Sequence, residues 1–183
     1  MYLIGYSLAG DKRELKLWIP RRSKTKQTYA GMLDVTVAGA MVVGDEDAWN
    51  CVSREAFEEA SLSVELVGAQ AKEVARVSYF GVSTGNPEHG GGEAGLCLPE
   101  FGVVFEMKLD EGVVLKPRDG EVEKFYCWGV QEVKEALERG EFKGNSGAVM
   151  MDWLQRSGML GQEKDIGAQV IRRMRRVLEF PHM

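Results

Sequence analysis

Three glutamates crowd into one short stretch of the chain, Arg54-Glu55-Ala56-Phe57-Glu58-Glu59. On a helix, which turns by about 100° per residue, Glu55, Glu58 and Glu59 fall within an arc about 100° wide. Like charges this close destabilise a helix and raise one another's pKa. A hard divalent cation removes that repulsion, and carboxylate oxygens suit Mg²⁺ or Mn²⁺. The stretch therefore fits two interpretations, a divalent-cation site or a solvated acidic helix face.

The helix that carries these glutamates needs a second face that packs on a core. The spacing predicts a helix from about Ala48 to Ala60, with Trp49, Val52 and Ala56 on an apolar stripe beside the acidic arc. The segment Gly44-Asp45-Glu46-Asp47 comes just before it, where the helix dipole favours carboxylates. The sequence thus predicts a helix that packs through one face and presents carboxylates on the next.

The residues around this helix match a longer pattern, G-x5-E-x7-R-E-U-x-E-E-x-G-U, in which U is aliphatic. That pattern is the signature of Nudix hydrolases. The chain resembles this family at Glu46, Arg54, Glu55, Glu58, Glu59 and Leu62, all at the required spacing. The first glycine of the pattern falls on Ala40, directly after Gly39, and the second on Ser61. Neither change removes a carboxylate, so the resemblance favours the cation site over the plain acidic face.

The resemblance implies Mg²⁺-dependent cleavage of a diphosphate linkage, with Mn²⁺ as a possible substitute. It implies catalytic roles for Glu55 and Glu58, with Arg54 orienting one of the carboxylates. It also implies a metal site formed by Glu55, Glu58, Glu59 and the carbonyl group of Gly39. The residue types suit this chemistry, because metal ions neutralise a diphosphate and acidify a bound water whose proton a carboxylate can accept.

A second stretch resembles one Nudix subgroup, the group related to thiamine pyrophosphokinase. The likeness runs from Trp18 through the segment Arg21-Arg22-Ser23 to Gly39 and continues along most of the chain. It implies hydrolysis of thiamine diphosphate, or of its oxidised or damaged forms, to the monophosphate and phosphate. Members of the subgroup usually carry a further N-terminal region, which this chain lacks, so we expect a single Nudix domain over residues 1–183.

Cations and distant carboxylates complete the set of candidate site residues. Arg21, Arg22 and Lys26 are candidate substrate-binding residues, because arginine and lysine bind phosphate oxygens. Nudix folds often take a further metal ligand or a base from a distant loop or strand. The candidates for that role are Glu100, Glu121 and Glu46.

Periodicity predicts a mixed α/β (α+β) domain, and the resemblance implies a Nudix fold whose mixed sheet is sandwiched between helices. Gly-rich residues indicate a loop from Ser83 to Leu98. Strands are predicted at 3–6, 15–19, 35–43, 74–80, 101–109 and 122–128, and helices at 48–60, 130–139, 148–156 and 166–178.

Composition narrows the range of partners. The chain has 183 residues and a net charge of −5, which argues against nucleic acid as the main partner, and no apolar run is long enough to span a bilayer. Its three cysteines, Cys51, Cys97 and Cys127, have no metal-type spacing and predict free thiols in a reducing compartment. We therefore expect a cytoplasmic protein whose partner is a small-molecule diphosphate. The sequence does not indicate an oligomeric state.

Two other functions fit part of the pattern. Ala40 and Ser61 leave open a Nudix-fold binding module without turnover, and the fold also suits hydrolysis of nucleoside diphosphate derivatives. Isopentenyl diphosphate isomerase shares the stretch from Arg22 to Gly31, but that family has a cysteine just before its glycine turn. The stretch Val35-Thr36-Val37-Ala38-Gly39 contains none.

Overall fold

A computed structural model of the chain describes residues 1–11, 13–86, 93–110 and 112–160. Ten helices and strands occur within these residues. In chain order they are β1 (Tyr2–Ala9), β2 (Glu14–Arg22), β3 (Val37–Ala38), α1 (Ala48–Ala60), α2 (Val64–Gln70), β4 (Ala71–Val82), β5 (Cys97–Lys108), β6 (Val122–Gly129), α3 (Val130–Glu138) and α4 (Gly144–Arg156).

One mixed sheet organises the chain, with strand order β4-β5-β1-β2-β6 and β3 added beside β1. Strands β1 and β5 run parallel, and the other pairings are antiparallel. Along one edge of β1, the residues Tyr6–Ala9 pair with β2, whereas Tyr2 and Leu3 pair with β3. Strand β2 therefore leaves β1 halfway along, and β3 takes its place beside Tyr2 and Leu3.

Helices cover both faces of this sheet, as predicted. One core lies between the sheet and helices α3 and α4, and includes Val133, Met150 and Leu154. The other core lies between the sheet and helices α1 and α2, and includes Val52 and Val67. Burial of these apolar side chains against the sheet is the main force that holds the layers together.

Helix α1 has the predicted bounds and packs through the predicted apolar face, but Glu59, predicted on the presented acidic face, is buried. Val52 and Ala56 are fully buried, and the ring of Trp49 packs edge-on against Phe105 with the ring centroids 4.8 Å apart. Asp47 caps the N-terminus by accepting hydrogen bonds from the backbone N–H groups of the residues two and three positions on, at 2.8 and 2.9 Å.

The predicted strand over Val35–Val43 is wrong, because only Val37–Ala38 form a strand there. Val35 belongs to the α3/α4 core and Val37 to the α1/α2 core, although alternate residues of a regular strand share one face. The Thr36 hydroxyl accepts a hydrogen bond from Gly5 N at 2.7 Å and donates one to Trp18 O at 2.7 Å. The Thr36 side chain thus makes hydrogen bonds that backbone groups of paired strands would otherwise make.

Other boundaries also differ from the predictions. Helix α2 was not predicted; it has only seven residues, buries Val67 and is capped by Ser63. Strand β5 begins at Cys97 inside the predicted loop, and α4 begins four residues before the predicted start at Ala148. The predicted helix over 166–178 and the centre of the Gly-rich loop lie outside the described residues.

The described part of the chain contains no helix with the length and apolar character needed to cross a bilayer. Cys51 is buried, Cys97 and Cys127 are exposed, and all three are free thiols.

Candidate active site

A cavity of about 680 Å³ opens where strands β1, β2 and β3 diverge. Helix α1 and the start of α4 supply two of its walls, and β5 and the loop before β6 supply others. Its lining combines carboxylates, cations and a few apolar groups. The polar and charged residues are Tyr2, Arg22, Lys26, Arg54, Glu55, Glu58, Glu100, Asp119, Glu121, Lys143 and Asn145.

Hydrogen bonds from the Arg54 side chain connect the acidic helix α1 to the loop before it. Its guanidinium donates to Asp45 Oδ2 at 2.9 Å, to Glu55 Oε1 at 2.9 Å and to Glu58 Oε2 at 3.3 Å. It also donates to the carbonyl of Ala40 at 3.2 Å. Hydrogen bonds from Arg54 hold the pKa of Asp45 below its usual value. One arginine therefore fixes two of the predicted catalytic carboxylates and the turn opposite them.

Gly39 and Glu55 are in direct contact. A Cβ atom added to Gly39 would lie 2.1 Å from Glu55 Cδ and 2.2 Å from Glu55 Oε1. Only glycine leaves room for the carboxylate at this place, and the reason is close approach, since the φ of Gly39 is not positive. Ala40 also has no positive φ, so an alanine is accommodated at the position where the signature has its first glycine.

The Gly39 carbonyl already has one hydrogen-bond donor. It accepts from the Met1 nitrogen at 2.6 Å, and Gly39 N donates back to Met1 O at 3.2 Å, which continues the β1–β3 ladder. A carbonyl oxygen has two lone pairs, so this bond leaves one acceptor position for a cation.

The glutamates of α1 differ in burial. Glu59 is 6% exposed and accepts one backbone hydrogen bond, from Ala38 N at 3.2 Å, whereas the Glu58 side chain is 48% exposed. Burial raises the pKa of Glu59 well above its usual value, and the charge of Asp34 raises it further. Burial also raises the pKa of Glu55, against the opposing effect of Arg54. The helix therefore carries two glutamates whose pKa is raised chiefly by burial, beside the more exposed Glu58.

A hard cation suits this donor set, which consists of carboxylate and carbonyl oxygens. Within the described ranges, however, no three His, Cys, Asp or Glu side chains are already gathered as a ligand group. Arg54 instead bridges Glu55 and Glu58. The chemistry of the residues fits Mg²⁺ or Mn²⁺, and binding would require these two side chains to turn from the guanidinium toward the ion.

The three cations predicted to bind substrate have different surroundings. Arg21 and Arg22 are consecutive residues of β2, so they point to opposite faces. Arg21 does not line the cavity; it donates to Gly31 O at 2.7 Å and to Glu141 at 3.2 Å. Arg22 and Lys26 line the cavity, each with a carboxylate partner.

The three distant glutamates also differ in their positions relative to the cavity. Glu121 lines the cavity, and its charge raises the pKa of both Glu55 and Glu59, so it lies close to the acidic helix. Glu100 lines the cavity too, where it accepts hydrogen bonds from Tyr2 OH and, at 3.3 Å, from Asn145 Nδ2. Glu46 is exposed and does not line the cavity.

Sequence reasoning missed four polar residues of this cavity and one residue beside it. The one beside it is Asp45, the partner of Arg54, which does not itself line the cavity. The four lining residues are Tyr2, Asp119, Lys143 and Asn145. Tyr2, Lys143 and Asn145 come from the two ends of the described chain and meet only in the fold. No local pattern marks them as site residues.

Residues 5–147 match the NUDIX domain family, a span that includes α1 and most of the cavity wall. The chain belongs to the Nudix family. It is 35% identical to the uncharacterized protein YJR142W of Saccharomyces cerevisiae over 99% of this chain and 53% of that protein. It is 32% identical to Nudix hydrolase 20, chloroplastic, of Arabidopsis thaliana over 87% of this chain and 40% of that protein. The chain thus spans about half the length of these relatives, or less.

Solved Nudix-type structures share the fold. The crystal structure of DR0079 from Deinococcus radiodurans superposes with a TM-score of 0.56 at 22% identity, covering 96% of this chain and 81% of that one. At this identity the likeness concerns the fold alone.

Proposed function

We propose that this Nudix domain hydrolyses a diphosphate linkage in a divalent-metal-dependent reaction. The observation that carries the proposal is the contact between Gly39 and Glu55 at the cavity wall, with Arg54 holding Glu55 and Glu58 beside it. A carboxylate helix on a solvated surface would not need a glycine opposite it. Here Gly39, Glu55 and Glu58 line the same cavity.

The metal would be held by oxygens of Glu55, Glu58, Glu59 and the Gly39 carbonyl. When bound, Mg²⁺ or Mn²⁺ neutralises phosphate charge and acidifies a coordinated water. Glu58, the most exposed carboxylate of the three, is suited to accept the proton of the attacking water. Arg54 keeps Glu55 and Glu58 oriented through its bonds to them and to Asp45.

Among the distant glutamates, Glu121 is the one we assign to the metal site. Its charge acts on both Glu55 and Glu59, and its ion-pair partner is Lys26. Glu100 is held by Tyr2 and Asn145 instead, which suits a group that recognises the organic part of a substrate.

Thiamine diphosphate, or an oxidised form of it, is the substrate we propose. Phe101 lines the cavity and is 56% exposed, and Glu100 and Asp119 line the same space. A thiazolium ring is cationic and aromatic, so it gains both from a carboxylate and from the face of a phenyl ring. This combination supports a cationic heterocycle over an uncharged base.

A substrate panel tests the proposal. Product formation would be followed by chromatography for thiamine diphosphate, its oxidised analogues, ADP and ADP-ribose, each with Mg²⁺ and with EDTA, because ADP-ribose yields AMP and ribose 5-phosphate and no free phosphate. We expect Mg²⁺-dependent hydrolysis that is fastest with the thiamine compounds. Faster hydrolysis of the adenosine compounds would overturn the substrate assignment. Thermal stabilisation by these compounds without any product would overturn the hydrolase proposal and indicate a binding module.

A further inference from the structure

A diphosphate brings several negative charges into the cavity, and protein cations must balance part of them beside the metal. Among the described residues, four cationic side chains line the cavity. They are Arg22, Lys26, Arg54 and Lys143.

Three of these four cations already form an ion pair with a carboxylate. The Arg22 guanidinium also donates to the carbonyls of Thr28 and Tyr29, at 3.0 and 3.1 Å, which leaves it enclosed by its own loop. The three ion pairs are Arg22–Asp34 at 3.0 Å, Lys26–Glu121, and Arg54–Asp45 at 2.9 Å. A substrate phosphate would have to compete with these carboxylates for each of the three cations.

Lys143 has no such competitor in the part of the chain that the structure describes. Its ammonium lies 5.6 Å from the centre of the Tyr29 ring and forms no salt bridge with a described carboxylate. Its backbone is fixed, because Lys143 N donates to Leu33 O at 2.9 Å and Gly147 N donates to Lys143 O at 2.8 Å. With its backbone fixed and its ammonium not paired with a described carboxylate, Lys143 is suited to bind an anion.

We propose that Lys143 binds a non-bridging oxygen of the substrate's diphosphate group and is the main protein cation for that group. This assignment rests on the proposed diphosphatase function. Lys143 stands at the N-cap of the 13-residue helix α4, whose dipole adds positive potential at the same place. Arg22 and Lys26 then act as positioning residues that fix Asp34 and Glu121.

The test compares Lys143→Met, which removes the charge and keeps most of the stem, with Lys143→Arg. Lys108→Met is the matched control, because Lys108 is exposed on β5, away from the cavity, and the net charge changes equally. We expect the methionine variant to raise KM for the diphosphate substrate by about 10- to 100-fold with a smaller change in kcat, as loss of a charged hydrogen bond does. Arginine at 143 should restore most of the loss, and Lys108→Met should behave as wild type.

A binding measurement separates this inference from the proposed function. Imidodiphosphate, which is not hydrolysed, would be titrated into each protein in the presence of Ca²⁺. We expect wild type to bind it and Lys143→Met to bind it at least about tenfold more weakly, with a smaller salt dependence. Suppose that wild type binds and hydrolyses diphosphates and that Lys143→Met matches it in both affinity and turnover. The assignment of Lys143 is then overturned, whereas the diphosphatase proposal stands. If wild type neither binds nor hydrolyses them, the diphosphatase proposal fails, and the assignment of Lys143, which depends on it, fails as well.

Discussion

The Gly39→Ala substitution would test how tightly the acidic site is built. The added methyl would lie 2.1 Å from Glu55 Cδ, 2.2 Å from Oε1 and 2.4 Å from Cγ. An ordinary carbon–carbon contact is about 3.5 Å, so the carboxyl carbon would have to retreat by about 1.4 Å. The move also strains or breaks the 2.9 Å hydrogen bond from Arg54 to Glu55.

A shift of this size should lower kcat strongly and leave the fold in place. Misplacing a catalytic group by about 1 Å can lower turnover by about a hundredfold, and we expect a loss at least that large. The obstructing atoms belong to the end of a flexible side chain, and alanine can adopt the φ of Gly39. The free energy of unfolding should therefore change by less than about 1 kcal/mol.

The assay is Mg²⁺-dependent phosphate release, with the Tm measured in parallel. Gly81→Ala is the matched control, because a Cβ at Gly81 would meet its nearest atoms at 3.7 and 3.8 Å, which is ordinary contact. In a Glu55→Ala background, Gly39→Ala should cause little further loss, since the atoms it collides with are gone. Wild-type kcat in Gly39→Ala, or an equal loss in both backgrounds, would refute this reasoning.

Two further predictions concern stability, measured by urea unfolding. Ser61 has a left-handed backbone (φ 56°, ψ 29°) and donates to Lys116 O at 3.0 Å, so Ser61→Gly relieves strain and loses one bond, whereas Ser61→Ala only loses the bond. The glycine variant should therefore be the more stable by about 1 kcal/mol, and equal stabilities would show that the backbone is not strained. For Glu59, the raised pKa in the folded state means that its favourable contribution is present below the unfolded pKa and is lost as the pH rises through the folded pKa. In EDTA, the stability advantage of Glu59→Gln over wild type should grow with pH across that window, and parallel pH profiles for the two proteins would contradict it.

The sequence predicted the acidic helix well because its information is local. Spacing alone placed three glutamates beside an apolar face, and the structure confirms the bounds of α1 and the burial of Val52 and Ala56. Long strands and helices with clear periodicity, such as β5 and α3, were also predicted to within a few residues.

The cavity wall was predicted less well because it depends on contacts between distant segments. Arg21 and Arg22 look alike in the sequence, but strand alternation sends only Arg22 toward the cavity, and Asp34 then neutralises it. Lys143 carries no local signal, and its exposure to the cavity follows from where α4 begins. The segment from Val35 to Val43 reads as a strand because most of its residues are apolar, although Val35 and Val37 pack in two different cores. Met41, Val42 and Val43 are exposed.

The most direct test of the diphosphatase account is phosphate release from thiamine diphosphate with Mg²⁺ by wild type, Glu58→Gln and the control Glu138→Gln. Glu138 is an exposed residue at the end of α3 and does not line the cavity. We predict that Glu58→Gln loses at least about a hundredfold in kcat while its Tm in EDTA stays near that of wild type, and that Glu138→Gln keeps full activity. Equal rates in wild type and Glu58→Gln would contradict the account, because the carboxylates of α1 would then take no part in turnover.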